Sequence, residues 1–178
     1  MSLKKAGGSD IMFREMRRAK QALSEMECIE ILERNTSGVL GVNGDDGYPY
    51  TVPVSYIWQD GKIWFHGSRT GHKAESILRS DKVSFCVIDQ DLVVPEELTT
   101  YFRSVICFGR ARMLEDEEEI RSCVRLLGSK YSKGYEAKTE ASLSRKLKIV
   151  GCVEITVEHM TGKQAIELVQ ERTPEDDH

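Results

Sequence analysis

Residues 66–73 read HGSRTGHK and gather chemistry that the rest of the chain spreads thinly. Hydroxyls come from Ser68 and Thr70, cations from Arg69 and Lys73, imidazoles from His66 and His72, and backbone freedom from Gly67 and Gly71. The apolar run Ile63, Trp64, Phe65 before them has strand composition, and Ala74, Ile77 and Leu78 after them keep helical spacing, so the stretch reads as strand, turn, helix. A helix starting near Thr70 adds unpaired backbone N–H groups and the positive end of its dipole. Together these groups form an anion site, with phosphate the foremost candidate. The competing reading of Arg69 and Lys73 is solvated surface charge, that of His72 a surface residue at a helix start, and that of His66 a structural histidine ending a strand.

Two common phosphate carriers are excluded by spacing. In GxxxxGK[ST] the second glycine directly precedes the lysine, whereas here His72 intervenes, Gly67 and Gly71 are too close, and Ala74 stands where a metal-binding hydroxyl belongs. The dinucleotide fingerprint GxGxxG fails because GSRTG supplies only two glycines, after hairpins rather than a βαβ unit.

The elements that must position the turn are mostly strands. Ser24 and Glu27 form a capping box for a first helix that ends near Gly38. A short strand follows, then a loop at NGDDGYP, then strict alternation over residues 50–58: Tyr50, Val52, Val54, Tyr56 and Trp58 face one way, and Thr51, Pro53, Ser55 and Ile57 the other. Asp60-Gly61 is a tight hairpin turn into the strand ending at Gly67. Pro53 removes a ladder donor, so its strand lies at an edge, or its outward face meets something other than a neighbouring strand, such as a flat ligand. KVSFCVIDQ is a fourth strand, DLVVPEEL a loop, and TTYFRSVICFGRARML a long strand bent or bulged at Gly109. Asp116 and Glu119 open a second capped helix ending near Gly128, residues 129–147 form a mobile connection with a short helix, and a last strand ends in a turn at TGK, residues 161–163. Arg110 and Arg112 read as solvated strand residues. About six strands joined by hairpins, with few helices, predict a mainly β fold: a six-stranded antiparallel barrel with flanking helices.

Composition sets the boundaries. The 25 basic and 29 acidic residues give a formal charge of −4, so no global field favours nucleic acid, and any anion is bound locally. No apolar run reaches membrane-spanning length. The five cysteines have no CxxC pair and fall inside regular segments, as small buried hydrophobes do, and the four histidines show no metal-binding spacing; a cytoplasmic protein without a metal site is expected. Residues 1–11 read as a tag-like or disordered leader, 12–166 as a single domain, and 167–178 as an acidic tail.

Three stretches in order, YTVPVSYIWQDGKIWFHGSRTGHKAESIL, YFRSVICFGRARML and VEITVEHMTGK, resemble the FMN-binding split barrels related to pyridoxamine 5'-phosphate oxidase, and within them the 5-nitroimidazole-resistance (Nim) branch. The resemblance spans Met12 to about Ile166. It implies a split β-barrel homodimer with FMN at the subunit interface, charged by NADH, NADPH or another donor and reducing a small organic acceptor. Carried over by position, Thr51, Val52, Pro53, Val54 and Ser55 would run beside the flavin ring, mostly through backbone groups. His66, Gly67 and Ser68 would lead into the ribityl and phosphate region, and His72 and Lys73 would hold the phosphate. Arg103 and Ser104 would approach the flavin, from the partner subunit where a dimer forms. His66 matches a position near substrate in Nim relatives, which makes it the candidate catalytic residue. The C-terminal arginine and proline elements of true pyridoxamine phosphate oxidases have no counterpart in AIELVQERTPEDDH, which argues against vitamin B6 oxidation. The rival expectations are an FMN-binding module without turnover, for storage, sensing or interaction, and a haem-binding relative.

Overall fold

A computed structural model of the chain describes residues 13–170; the expected leader and the end of the expected tail lie outside them. The elements are β1 (Ala22–Leu23), α1 (Glu25–Arg34), β2 (Ser37–Asn43), β3 (Pro49–Ser55), β4 (Ile57–Gln59), β5 (Lys62–Ser68), α2 (His72–Arg79), β6 (Lys82–Val94), β7 (Thr99–Met113), α3 (Glu117–Tyr131), α4 (Glu136–Lys146), β8 (Val150–Gln164) and α5 (Ile166–Gln170). The strands form one sheet in the order β3-β2-β6-β7-β8-β5-β4, with β1 added beside β8, and every pairing is antiparallel. The architecture is the expected one: mainly antiparallel sheet with flanking helices.

The strand count is eight rather than six among the described residues. One addition is the two-residue β1. The other arises because residues 50–58 are not a single strand. The chain breaks at Tyr56, and β3 and β4 then sit at opposite ends of the strand order. The sheet therefore curls until its two ends are joined through one residue. Tyr56 is fully buried, packs edge-on against Phe85, and donates its hydroxyl to Leu32 O at 2.8 Å. This tertiary anchoring overrides an alternation that runs unbroken in the sequence.

Local signals act as expected at several ends. Ser24 accepts from Glu27 N at 3.3 Å while Glu27 accepts from Ser24 N at 2.7 Å, closing the capping box of α1. Asp60 and Gly61 both have positive φ in the hairpin turn between β4 and β5. Register slips between Phe108 and Gly109, where a side chain at Gly109 would stand 2.2 Å from Thr156 O, so the glycine accommodates a bulge.

Other expectations are corrected. The stretch read as a loop after residue 90 continues β6 to Val94, paired with β7 down to Thr99. The TGK turn is instead part of β8, where Thr161, Gly162 and Lys163 pair with Ile106, Val105 and Ser104. The mobile connection is mostly helix: α3 runs on to Tyr131 and α4 spans 11 residues. Arg110 and Arg112 are exposed strand residues as expected, and each is also paired: Arg110 meets Asp81 at 2.7 Å and Glu158 at 2.9 Å, and Arg112 meets Glu154 at 2.8 Å and Glu119 at 2.7 Å.

The barrel interior is filled by Leu40, Phe65, Phe85, Val87, Val105 and Ile155, and Ile31 and Leu32 of α1 belong to the same buried cluster. A smaller cluster packs Ile120, Cys123 and Leu127 of α3 onto Leu114 and Cys152. All five cysteines are free thiols and four are buried, as small hydrophobes would be. Burial pushes the Cys28 thiol up to about 11 and the Cys107 thiol up to about 12, far from the thiolate range.

Candidate functional site

The stretch at residues 62–79 folds as strand, turn, helix, with α2 starting two residues later than expected, at His72, behind Gly71 as its N-cap. Gly71 has φ +99, which a residue with a side chain rarely adopts, so glycine sets the angle at which α2 leaves the turn. Ser68 Oγ accepts from Thr70 N at 3.2 Å and rigidifies the turn. The first amides of α2 have no intrahelical acceptor, although Gly71 N is taken by Glu75 Oε1 at 3.2 Å.

The two cations of the turn diverge. Lys73 folds back over the end of β5: its Nζ lies 5.2 Å from the Phe65 ring centroid and 2.9 Å from where a β-carbon on Gly67 would be. Gly67 thus clears the space that the ammonium fills. Lys73 is half-buried, has no carboxylate partner among the described residues, and burial pulls its pKa below the ordinary lysine value. A partly desolvated cation without a counterion beside a helix start is a ready anion site. Arg69 turns the other way, donating from Nε to Val150 O at 3.0 Å. It does not join Lys73.

His72 is also engaged. Its ring stacks on Tyr50 at 4.0 Å between centroids, and Nε2 lies 3.5 Å from Asp45 Oδ2, in a loop that Arg79 also holds through Asp45 at 3.0 Å. An imidazole facing a carboxylate donates to an anion less readily than Lys73 does.

Residues 51–55 form β3, which pairs only with β2, so Pro53 lies in a strand with a free edge and the missing donor costs no second ladder. Thr51, Pro53 and Ser55 point outward, while Val52 and Val54 turn toward the core. Thr51 pairs with Gly41, itself opposite Ser84, and a side chain at Gly41 would stand 2.7 Å from Ser84 Oγ, so this outer face is flat.

Ser55 and His66 converge on a cavity of about 560 Å³. Its other wall is the α3–α4 hairpin, with Val124, Leu127 and Tyr131 from α3 and Lys138 from α4, and with Tyr135 preceding α4. The helices approach closely at Gly128, where a side chain would stand 3.2 Å from Thr139, and Arg125 pairs with Glu140 at 2.6 Å. Lys138 Nζ lies 4.9 Å from the Tyr135 ring centroid at the cavity wall. The sequence reading missed this wall because residues 129–147 are polar and lysine-rich. The available signal was Leu143 and Leu147, four residues apart, of which Leu143 is buried.

Tyr131 ties that wall to the barrel at its break. Its hydroxyl accepts from Tyr56 N at 2.9 Å and reaches the carbonyls of Thr36 and Tyr56. Tyr131→Phe leaves Tyr56 N without its partner and is expected to cost about 1 kcal/mol, because Tyr131 is partly exposed and water can replace some of the bonding. A denaturation midpoint equal to the wild type would show that this tie carries no stability.

Arg103 and Ser104 are not brought to the turn by this chain. His66 is level with Cys152 on β8, whereas Arg103 is level with Gln164 at the strand's other end. Arg103 donates to Gln164 Oε1 at 3.3 Å while its buried Nε lacks an acceptor among the described residues.

The arrangement thus offers a flat outer strand, an anion cradle and a cavity lined by the ends of β3 and β5, with no group of metal-ligating residues among those described. Solved structures share the fold. A protein described as a candidate 5-nitroimidazole antibiotic resistance protein of Bacteroides thetaiotaomicron is 21% identical over 80% of this chain and 86% of its own, with a TM-score of 0.66. An FAD-binding protein of Mesorhizobium loti is 26% identical over 82% of this chain and 97% of its own, with a TM-score of 0.62. A conserved hypothetical protein of Mycobacterium tuberculosis is 22% identical over 89% of this chain and 96% of its own, with a TM-score of 0.74. No curated protein matches the chain. The family model for pyridoxamine 5'-phosphate oxidase matches residues 24–164, from the capping serine of α1 to the end of β8, and the chain belongs to that family.

Proposed function

We propose that the protein is an FMN-dependent oxidoreductase that passes electrons from a reduced nicotinamide donor to a small organic acceptor, nitroaromatic compounds among them. The observation that carries this reading is Lys73: a half-buried ammonium without a carboxylate partner among the described residues, seated over Gly67 beside a helix start. It suits the dianionic phosphate of FMN. Bound flavin supplies the redox chemistry, storing two electrons and releasing them to the acceptor. The protein's own residues bind and orient. Lys73, Ser68 and the first amides of α2 hold the phosphate, and His72 steadies the helix start through Asp45. The outer face of β3, at Thr51, Pro53 and Ser55, offers a flat bed for a planar ring. His66 at the mouth of the cavity, with a ring nitrogen able to donate or accept, is placed to hold a proton near the acceptor. Val124, Leu127, Tyr131 and Tyr135 give the acceptor an apolar and aromatic enclosure.

The same reading includes a homodimer. Ile88, Ile106 and Phe108 are partly exposed on the outer face of β6 and β7, an apolar strip that a second copy would cover. Such a pairing is also the route by which Arg103 and Ser104 would reach a flavin that their own chain cannot bring to them. Free thiols throughout fit a reducing cytoplasm, and no helix among the described residues is long and apolar enough to cross a membrane.

The decisive experiment is spectroscopic. The purified protein is expected to be yellow, or to quench added FMN fluorescence, and anaerobic NADH or NADPH is expected to bleach the bound flavin. Colourless protein with no quenching removes the cofactor. Yellow protein that neither donor bleaches leaves the flavin-binding module without turnover as the surviving reading.

A further inference from the structure

A second cavity, of about 490 Å³, opens beside the same turn. Four cations line it: Arg69 from the turn, Arg121 from α3, Arg145 from α4, and Lys148 just beyond. Two carboxylates oppose them, Glu115 and Glu117. Glu117 is already paired with Arg121 at 2.6 Å. That leaves Arg69, Arg145 and Lys148 without a carboxylate partner among the described residues, against Glu115 alone.

The two arginines are held in place. Arg69 is fixed through Nε to Val150 O at 3.0 Å and Arg145 through Nε to Ala141 O at 3.1 Å, so each keeps its terminal N–H groups for something else. Planar guanidinium groups anchored in this way suit the oxygens of a phosphate. The dipole of α4 accounts for cations near its C-terminal end, but not for Arg69, which arrives from a different element. A cavity of this size exceeds what inorganic phosphate fills and falls in the range of ligand sites, and Ile120 and Leu147 give it an apolar side against which a ring can lie.

We propose that this cavity binds the adenosine-phosphate end of a dinucleotide. The anion site stands on its own geometry, whereas the dinucleotide rests on the flavin reading above. The shared chemistry has two sources, a reduced nicotinamide donor or the adenylate half of FAD.

ADP is the probe, titrated calorimetrically into the purified protein and into Arg69→Gln and Arg145→Gln/Lys148→Gln variants, with circular dichroism confirming that each is folded. ADP is expected to bind the wild type, and both variants to weaken it about tenfold or more, while FMN affinity at Lys73 is unchanged. ADP that fails to bind, or binds the variants as well as the wild type, overturns the proposal. If the donor is the source, the KM for NADPH rises in the double variant while FMN and FAD bind alike. If FAD is the source, the wild type prefers FAD over FMN and the double variant loses that preference. Neither change overturns the dinucleotide assignment. ADP binding that responds to the variants in a protein that takes up no flavin supports the anion site and refutes the flavin reading alone.

Discussion

Lys73→Ala is expected to weaken FMN retention by about 10- to 100-fold, the loss of one charge-assisted contact to a phosphate. The size follows from the absence of a substitute. Arg69 turns away from Lys73 toward Val150 and the second cavity, and His72 faces Asp45, so no second cation at the turn can replace the ammonium. Stability is expected to move the other way. Burial lowers the Lys73 pKa, so the folded protein holds that proton less tightly than the unfolded chain does, and the buried charge costs stability at any pH below the shifted value. The cost fades as pH rises through it. Lys73→Met, which keeps the bulk over Phe65 and removes the charge, should therefore melt no lower than the wild type while binding FMN poorly. The pH profile gives a second check: FMN affinity should fall as pH climbs through the lowered lysine value, earlier than a surface lysine would allow, and this fall should vanish in Lys73→Met. Fluorescence quenching titrations across pH measure both. Unchanged affinity in Lys73→Ala would remove the phosphate from this turn.

The turn was legible in the sequence because its signals are local. Glycine at Gly71, a hydroxyl at Ser68 and helical spacing after Thr70 describe chain geometry within a few residues, and the same holds for the Ser24–Glu27 box and the Asp60-Gly61 hairpin. What was not legible depends on residues far apart in the chain. The alternation of residues 50–58 does not show that Tyr56 is caught between Leu32 and Tyr131, which breaks the strand and joins the two ends of the sheet. Nor does the composition of residues 129–147 show a helix, because α4 depends on packing against α3 at Gly128 and Thr139 rather than on a strong apolar face of its own. The divergence of Arg69 and Lys73 has the same origin. Two cations four residues apart look equivalent until one finds Val150 O and the other the gap left by Gly67.

Glu154→Ala is expected to cost about 2–4 kcal/mol, the largest stability loss anticipated for a single polar side chain here. Glu154 is only 4% exposed, on β8 between Trp64 of β5 and Arg112 of β7. Its carboxylate takes Lys62 Nζ at 2.9 Å and Arg112 Nε at 2.8 Å, and Arg112 continues to Glu119 at 2.7 Å. Three strands and the start of α3 are thereby joined by one run of charges. The loss stays below that of a fully buried pair because Lys62 and Arg112 are partly exposed and can turn to water. Burial alone would raise the Glu154 pKa, but the hydrogen bonds from Arg112 and Lys62 outweigh it and leave the pKa below the ordinary glutamate value. A carboxylate with a lowered folded pKa contributes stability that is fully present above its unfolded value and is lost as pH falls through the folded one. The gap between wild type and Glu154→Gln in denaturant midpoint should therefore be widest near neutral pH and close in acid. Because α3 carries Val124, Leu127 and Tyr131 of the cavity wall, Glu154→Ala should also raise the KM for the acceptor while leaving FMN binding at Lys73 intact. A midpoint that does not move at neutral pH would show that the run of charges is ornamental. A KM that does not move while the midpoint falls would show that α3 holds its place by apolar packing through Ile120, Cys123 and Leu127 alone.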